Sequence, residues 1–469
     1  MNVLWWIRRD LRLSDNPALQ AALAELQQPG DCLLPVFILD PKLAYAVNTA
    51  AARLDFLFAG LRALNADLRE RHSHLLIRQG DPLEELACLF AESESTLIVA
   101  EADVSPFARR RDAAVAARLP LRLVGSPLVF PPGSVVKADG SPYTVFTPFA
   151  KAWKALPFPG APLPPPGAFG QQPAAASLEI PAPQTSSLLF PPGEAHALAR
   201  LRAFTAGPNA LIYRYQATRN TLHPTDTSLL SPYLRFGMIS ARQSAHAARQ
   251  AIETAPDTLA RQSAETWLNE LIWREFFANI LYHFPHVLRH SFRPGLRRIA
   301  WQNDPAHFAA WCHGQTGYPV VDAAMRQLLA SGWMHNRARM ITASFLVKDL
   351  LVDWRWGERW FMQHLLDGDP AANNGGWQWT AGTGTDAAPY FRIFNPVSQG
   401  EKFDPQGAYV RHWLPELANV PGEYIHQPWL MPLELQKSSG CLLGIHYPLP
   451  IVNHAHARQR ALAAYAAAR

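Results

Sequence analysis

Cysteine is nearly missing from this chain. Its 469 residues hold four, Cys32, Cys88, Cys312 and Cys441, widely separated and without CxxC or histidine-rich spacing. That argues against a disulfide framework, a zinc site, an iron–sulfur cluster or any other metal centre. Long hydrophobic runs are also missing, which argues against a membrane span. The first seven residues lead into Arg8 and Arg9 with no secretory apolar segment, so the expectation is a cytoplasmic protein. Charged residues make up only 17%, against 48% hydrophobic, which is globular rather than disordered composition. Finally, the turn after the first apolar run reads RRDLRLSDN, not GxGxxG, so the ordinary dinucleotide fingerprint is absent.

What is present is unevenly distributed. Residues 1–195 carry 17 Lys and Arg against 19 Asp and Glu, while residues 196–469 carry 26 against 19, making the halves −2 and +7. Of those 26 cations 23 are arginine, the side chain suited to forked contacts with phosphate and to stacking on rings. A solvated surface and a nucleic-acid face both fit that count.

In the first 130 residues, short apolar runs at 3–7, 33–39, 75–78, 97–101 and 121–124 alternate with amphipathic stretches such as 53–71. This pattern predicts a doubly wound, parallel, Rossmann-like α/β domain over 1–130. Eleven prolines between 157 and 192 mark a connector, 131–195, that wraps or spans rather than folds independently. Residues 196–469 then read as an all-α domain, with long apolar faces at 263–284, 320–329, 337–351 and 358–366.

The chemistry gathers in the helical half. Eight of the fifteen tryptophans fall between Trp301 and Trp379, around Asp367, Asp369, Asn373 and Asn374 in DGDPAANNGGWQW. An indole stacks on planar rings and gives up an electron readily, so a flat redox cofactor would use this set, although a Trp-rich core with a polar NNGG loop is the plainer alternative. In WLNELIWREF, Glu270, Trp273 and Arg274 share one helical face, able to hold a planar ligand or to make a salt bridge beside a core indole. GWMHNRARM repeats the arrangement with Asn336, Arg339 and Met340. In TDTSLLS, Thr227, Ser228 and Ser231 precede a helix, which suits either a diphosphate site or a simple N-cap.

Taken in order, RRDLRLSDN, TSLLS, WLNELIWREF, TGYPVVDAAMRQL, GWMHNRARM, DGDPAANNGGWQW and RIFNP resemble the photolyase and cryptochrome family, and within it the bacterial class I cyclobutane pyrimidine dimer photolyases. The resemblance runs nearly the whole length and implies an antenna-binding α/β domain followed by a helical domain that binds FAD and DNA. It implies light-dependent repair, in which fully reduced FAD excited by blue light gives an electron to a flipped dimer. Tyr215, Thr227, Ser228, Leu229, Leu230, Ser231, Trp267, Arg274, Arg339, Asp367, Gly368, Asp369 and Asn373 match FAD-holding positions. Glu270, Asn336, Met340 and Asn373 match catalytic positions, and Trp301, Trp354 and Trp377 the electron-transfer chain. Arg219, Glu270, Trp273, Asn336, Arg337, Trp379 and Gln399 match DNA and lesion contacts.

The antenna positions depart from the folate pattern. Where folate-binding members carry His and an Asn-Glu pair, this chain has Val47, Phe107 and Ala108, while DVSPFARRRD, with Asp103 and Phe107, resembles deazaflavin-binding members. The resemblance therefore favours 8-hydroxydeazaflavin, with FMN, methenyltetrahydrofolate and an empty site as alternatives. The implied partner is ultraviolet-damaged DNA carrying cyclobutane pyrimidine dimers, met by a monomer that is nucleoid-associated when bound. A cryptochrome-like photoreceptor is the alternative, disfavoured by the short stretch after Pro450 and the intact lesion-pocket set.

Overall fold

The computed structural model describes residues 1–44, 50–167, 169, 172–183, 190–222, 226–386 and 392–468. These form two compact units, Met1–Ala217 with Thr227–Pro285, and Thr218–Asp226 with His286–Arg469. Among the described residues no helix is long and apolar enough to cross a membrane.

The first unit is built on a parallel sheet of β1 (Asn2–Ile7), β2 (Cys32–Leu39), β3 (Leu76–Gln79), β4 (Ser95–Glu101) and β5 (Leu121–Val124), in the order β3-β2-β1-β4-β5. All five begin and end within two residues of the expected runs. Both faces of the central strands are covered, so they are apolar throughout rather than alternating. The sheet carries α1 (Pro17–Ala24), α2 (Pro41–Ala44), α3 (Ala51–Arg69), α4 (Pro82–Glu92) and α5 (Pro106–Ala116). Proline has a local task here: Asn16, Asp81 and Ser105 each cap a helix that opens with Pro17, Pro82 and Pro106, where the missing N–H costs nothing. Further along come α6 (Phe146–Ala155), α7 (Glu194–Thr205), α8 (Tyr215–Thr218), α9 (Ser231–Phe236), α10 (Ala241–Glu253) and α11 (Thr258–His283). The proline-rich connector covers the β3 edge: Leu178 N–H donates to Ile77 O at 2.9 Å, Ile77 N–H to Ser177 Oγ at 3.0 Å, and Gln172 brackets His74. A strand edge that would otherwise be open is thereby closed.

The RRDLRLSDN turn fills the crevice at the carboxyl ends of β1 and β4, the place where a doubly wound sheet ordinarily takes its ligand. Arg8 pairs with Asp112, Arg12 with Glu101 at 3.1 Å, and Asp15 receives Arg242 and Ser240. Leu11 N–H donates to Phe236 O and Arg12 Nη1 to Gly237 O, so the turn is locked onto the end of α9. There Gly237 adopts φ 65°, and a Cβ would lie 1.8 Å from Arg9 O.

The second unit contains α12 (Pro305–Cys312), α13 (Pro319–Ser331), α14 (Asn336–Ser344), α15 (Trp354–His364), α16 (Pro370–Ala381), α17 (Pro396–Phe403), α18 (Ala408–Trp413), α19 (Leu433–Ser438) and α20 (His454–Ala467) around an apolar core that includes Trp311, Met325, Phe345 and Trp377. Two expectations need correcting. The stretch 337–351 is not one α-helix, because Phe345–Asp349 winds as a π turn that buries Lys348, whose Nζ donates to Ala381 O at 2.8 Å. Nor is NNGG a loop: it lies inside α16. Asp369 caps that helix through Ala371 and Ala372 N–H, Pro370 opens it, and the Asn373 and Asn374 amides bond to backbone carbonyls outside it. Outward partners remove the usual tendency of asparagine to compete with its own helix.

Replacing Gly237 with alanine should destabilise the protein by roughly 2 kcal/mol or more, since left-handed strain and a backbone clash act together. Urea unfolding checks this, and an unchanged midpoint would contradict the locking role given to the turn.

Candidate functional site

In the first unit the predicted residues sit on and around α11, which Asp257 caps through Ala260 N–H at 2.8 Å. Trp267 is buried and packs on Phe204, whose ring also meets Tyr215. Glu270 is half-buried on the same helix. Trp273 lies flat on Phe146, centroids 3.7 Å apart and planes 3° from parallel. Arg274 donates to Pro127 O at 2.8 Å and to Leu234 O at 3.4 Å. It therefore ties α11 to the segment after β5 and to α9.

The hydroxyls of the Thr227–Ser231 run are not spent on capping. Leu230 occupies the cap position of α9 without a side-chain bond, Leu229 takes φ 52°, and Thr227 Oγ1 is buried without a hydrogen-bond partner among the described residues. A buried hydroxyl left in this way costs free energy unless a ligand meets it. A diphosphate group would do so.

Sequence reasoning passed over Glu275. Its carboxylate accepts from Val129 N–H and from Trp153 Nε1 at 2.6 Å, and burial, working against those two bonds, pushes it up to about 7. The signal available was a lone acid inside the apolar run WREFF. Glu275 and Arg274, adjacent in sequence, both hold the 127–129 segment.

In the second unit His335, also unremarked in the sequence, caps α14 by accepting from Arg337 N–H at 3.1 Å. Burial, then Arg339 and Arg337, lower it to about 4, so it is a neutral cap at physiological pH. Asn336 is exposed and its amide points at Met340 Sδ, 3.9 Å away. Arg337 forks onto Asn220 Oδ1 at 2.6 and 3.2 Å and lies 4.6 Å over the Phe403 ring. Arg219 contributes further positive charge to this cluster. Gln399 is half-buried on α17, the helix that also carries Phe403.

Arg339 bridges the Met334 carbonyl at 2.8 Å and the Asp367 carboxylate at 2.8 and 3.1 Å. Gly368 N–H donates to Leu365 O, and Asp369 caps α16. Asn373 Nδ2 donates to Glu358 O at 3.0 Å. Arg339, Asp367 and Asn373 are thus each held by neighbours in one orientation. Trp377 is buried against Phe361 and Trp311, at 5.0 and 6.1 Å, with its Nε1 lacking a partner among the described residues. Only a glycine at 357 leaves room for that ring, because a Cβ there would fall 2.1 Å from it. Trp354 is buried at the start of α15, Trp301 is half-buried with its ring perpendicular to that of Tyr465 at 5.9 Å, and Trp379 is half-buried.

The predicted antenna residues lie where β4 ends. Asp103 is 3.7 Å from Arg9 and accepts from Ser105 N–H, Phe107 is in the first turn of α5, and Ala108 N–H donates to the capping Ser105. Val47 lies outside the described residues.

Comparison with known proteins gives a consistent result. Residues 3–167 match the family model for DNA photolyase and residues 267–467 that for the FAD binding domain of DNA photolyase. The deoxyribodipyrimidine photo-lyases of Salmonella typhimurium and Escherichia coli are 43% and 42% identical, each aligned over 99% of this chain and 98% of their own. Among solved structures, a bacterial class III photolyase from Agrobacterium tumefaciens has a TM-score of 0.89 at 38% identity, covering 100% of this chain and 97% of its own. A Synechocystis cryptochrome also reaches 0.89, at 31% identity and 98% of both chains. A Sulfolobus tokodaii photolyase described with two FAD molecules reaches 0.84, at 31% and 100% of both.

Glu275 generates a pH prediction. Its folded value of about 7 lies above the ordinary 4.5, so between those values the folded protein keeps a proton that the unfolded chain has lost. Stability should therefore fall as pH rises through that window, by up to about 3 kcal/mol from this group, and level off above it. Glu275→Gln should lower stability at every pH, because one N–H loses its acceptor, yet make the decline shallower. Urea unfolding from pH 5 upward reads this, and equal slopes in both proteins would count against it.

Proposed function

This chain belongs to the DNA photolyase family, and on that premise we propose that it repairs ultraviolet-damaged DNA in blue light, splitting cyclobutane pyrimidine dimers into two pyrimidines. The observation that carries the reading is the set Arg339, Asp367 and Asn373, each held in one orientation by hydrogen bonds to the protein itself. A charged pair and an amide held in this way form a preorganised field for an electron-rich ring.

FAD, when bound in its fully reduced state, supplies the light-driven electron that opens the dimer and recovers it afterwards. By the family resemblance, the residues that would hold it are Tyr215, the Thr227–Ser231 run, Trp267, Arg274, Arg339, Asp367, Gly368, Asp369 and Asn373. The unpartnered Thr227 hydroxyl fits a diphosphate oxygen. Glu270 hydrogen-bonds the lesion and steadies negative charge on it, and Asn336 and Met340 shape its pocket. Trp273 and Trp379 stack on the flipped bases. Because Trp273 is already immobilised on Phe146, little ordering entropy remains to be lost on binding. Arg219, Arg337 and Gln399 hold the DNA backbone. Trp301, Trp354 and Trp377 relay electrons inward from the surface.

For the antenna we keep 8-hydroxydeazaflavin beside Asp103 and Phe107. FMN or methenyltetrahydrofolate is the alternative, and the Sulfolobus relative's second FAD supports a flavin-like ring. The protein acts as a cytoplasmic monomer, at the nucleoid when bound to DNA. The cryptochrome likeness keeps one competing reading, a photoreceptor with the same fold.

Matched duplexes with and without one thymine dimer separate the two readings. The protein should prefer the dimer duplex in the dark and restore its thymines under blue light. Trp273→Ala should weaken dimer binding by roughly 1 to 3 kcal/mol per lost stacking contact while leaving undamaged binding nearly unchanged. Neither preference nor repair in the wild type would leave the photoreceptor standing instead.

Trp377→Phe keeps an aromatic ring in the pocket beside Phe361 but removes an oxidisable indole. It should abolish photoreduction of oxidised FAD and spare repair by protein reduced beforehand. Normal photoreduction in this variant, and in Trp301→Phe and Trp354→Phe, would remove the relay assignment.

A further inference from the structure

Helix α16 carries more than Asn373 and Trp377. Asn374 and Gln378, one turn apart and both buried, direct their amides at the segment 286–293. Asn374 Nδ2 donates to Val287 O at 3.1 Å, and Gln378 Nε2 donates to the Val287 and His290 carbonyls at 2.9 and 3.3 Å. Gln378 Oε1 accepts from Phe292 N–H at 2.8 Å. Arg293 N–H donates to Thr383 O just past the helix, and Arg355 supports Arg289 O from α15. Farther on, Leu296 and Ile299 pack with Leu351 and Tyr465. Residues 286–299 are therefore a strap with a fixed backbone, although they contain no α-helix or strand.

The charge on this strap is one-sided. Arg289, Arg293, Arg297 and Arg298 are exposed, and no Asp or Glu occurs from His286 to Gln302. Among the described residues none of the four arginines forms an ion pair with a carboxylate. A single surface arginine needs no explanation. Arg297 Nε donates to Ser291 O at 3.0 Å within the strap, but no carboxylate on the strap offsets the four charges, which mutually repel, so the arrangement is favourable toward an anionic partner.

We propose that residues 286–298 are a second phosphate-gripping surface for duplex DNA, separate from the Arg219 and Arg337 cluster and positioned by α16. The proposal rests on the DNA-repair reading. Guanidinium forks fit phosphate oxygens, and the helix that pins the strap also carries Trp379. Lesion recognition and backbone grip are thus mounted on one rigid element.

The test uses the full holoprotein with all four arginines changed to glutamine, R289Q, R293Q, R297Q and R298Q, and measures duplex affinity against salt. On undamaged DNA the magnitude of the log K against log salt slope should fall by about 2 or more, with affinity down on the order of tenfold at physiological salt. The preference for a dimer duplex over an undamaged one should hold, and repair of an isolated dinucleotide dimer, which carries no flanking phosphate, should change by less than about twofold. Lysine at the same positions should restore the slope, since it keeps the point charge. The variants R289Q/R293Q and R297Q/R298Q provide the same readout if the fourfold variant does not fold. An unchanged slope overturns the proposal and points the strap toward an acidic protein, and a loss that lysine does not restore overturns it as a packing effect. Because the slope is read on undamaged DNA, a wild type that fails to prefer dimers refutes the repair reading without deciding the strap.

Discussion

Charge buried in the turn after β1 is the constraint on which the first unit depends. Asp10, Arg12 and Asp15 are almost wholly excluded from solvent, and an unpaired buried ion would cost several kcal/mol. Every one is therefore committed to a partner. Asp10 receives Trp5 and Asn16, Arg12 spans Asp15 O, Gly237 O and Glu101, and Asp15 receives Ser240 and Arg242. Burial opposes the charge on Arg12, but Glu101 and Asp10 outweigh it and hold the guanidinium above its ordinary value. Because the partners come from β4, α9 and α10, the network can form only when sheet and helices are already in register. This departs from the usual glycine-rich turn of a doubly wound sheet: the backbone that would cradle a dinucleotide phosphate is replaced by a turn tied down by the protein's own ions.

A similar logic of committed polar groups governs the second unit, where α16 is the organiser. Its side chains leave in different directions, Asn373 to Glu358 O, Asn374 and Gln378 to the strap, Trp377 into the core, while Asp369 closes its first turn. Helix propensity alone would not favour PAANNGG. Tertiary hydrogen bonds and the Asp369–Pro370 start supply what propensity lacks. That accounts for the density of unusual residues in this one helix, since each satisfies a neighbour's backbone or a ligand rather than the helix itself.

The contrast explains what could be read beforehand. The central strands β1 and β2 were legible because fully buried parallel strands are uniformly apolar and are followed here by Asn-Pro and Asp-Pro helix starts, while the edge strands β3 and β5 were legible only as short apolar runs. α11 was legible from its period, and the surroundings of Asn336 to Met340 and of Asp367 to Asn373 were legible as motifs. NNGG was misread because its compensation lies in Val287 and Glu358, far away in sequence. Glu275 and His335 were passed over for the same reason: a lone acid in WREFF, or a histidine just before a helix, gives no sign of which indole N–H or helix start it serves. The connector announced itself by proline, but the pairing of Ser177 and Leu178 with β3 left no periodic trace. The division into compact units likewise has no marker in composition, because residues 218–226 belong with a segment that begins at 286.

Arginine connects these levels. In the first unit Arg8, Arg12 and Arg274 are internal ties that end on carboxylates and carbonyls. In the second, Arg339 is internal, Arg337 is divided between Asn220 and the Phe403 face, Arg297 is exposed but gives its Nε to Ser291 O, and Arg289, Arg293 and Arg298 are exposed. A planar, permanently charged fork is useful in all three settings, whereas lysine, buried once at 348, is driven well below its ordinary value by desolvation. Composition therefore reported the residue type correctly and its purpose ambiguously. Only the partners distinguish a tie from a phosphate contact: an arginine whose donors end on the protein holds the fold, and one held by its backbone with its donors in water is available to another molecule.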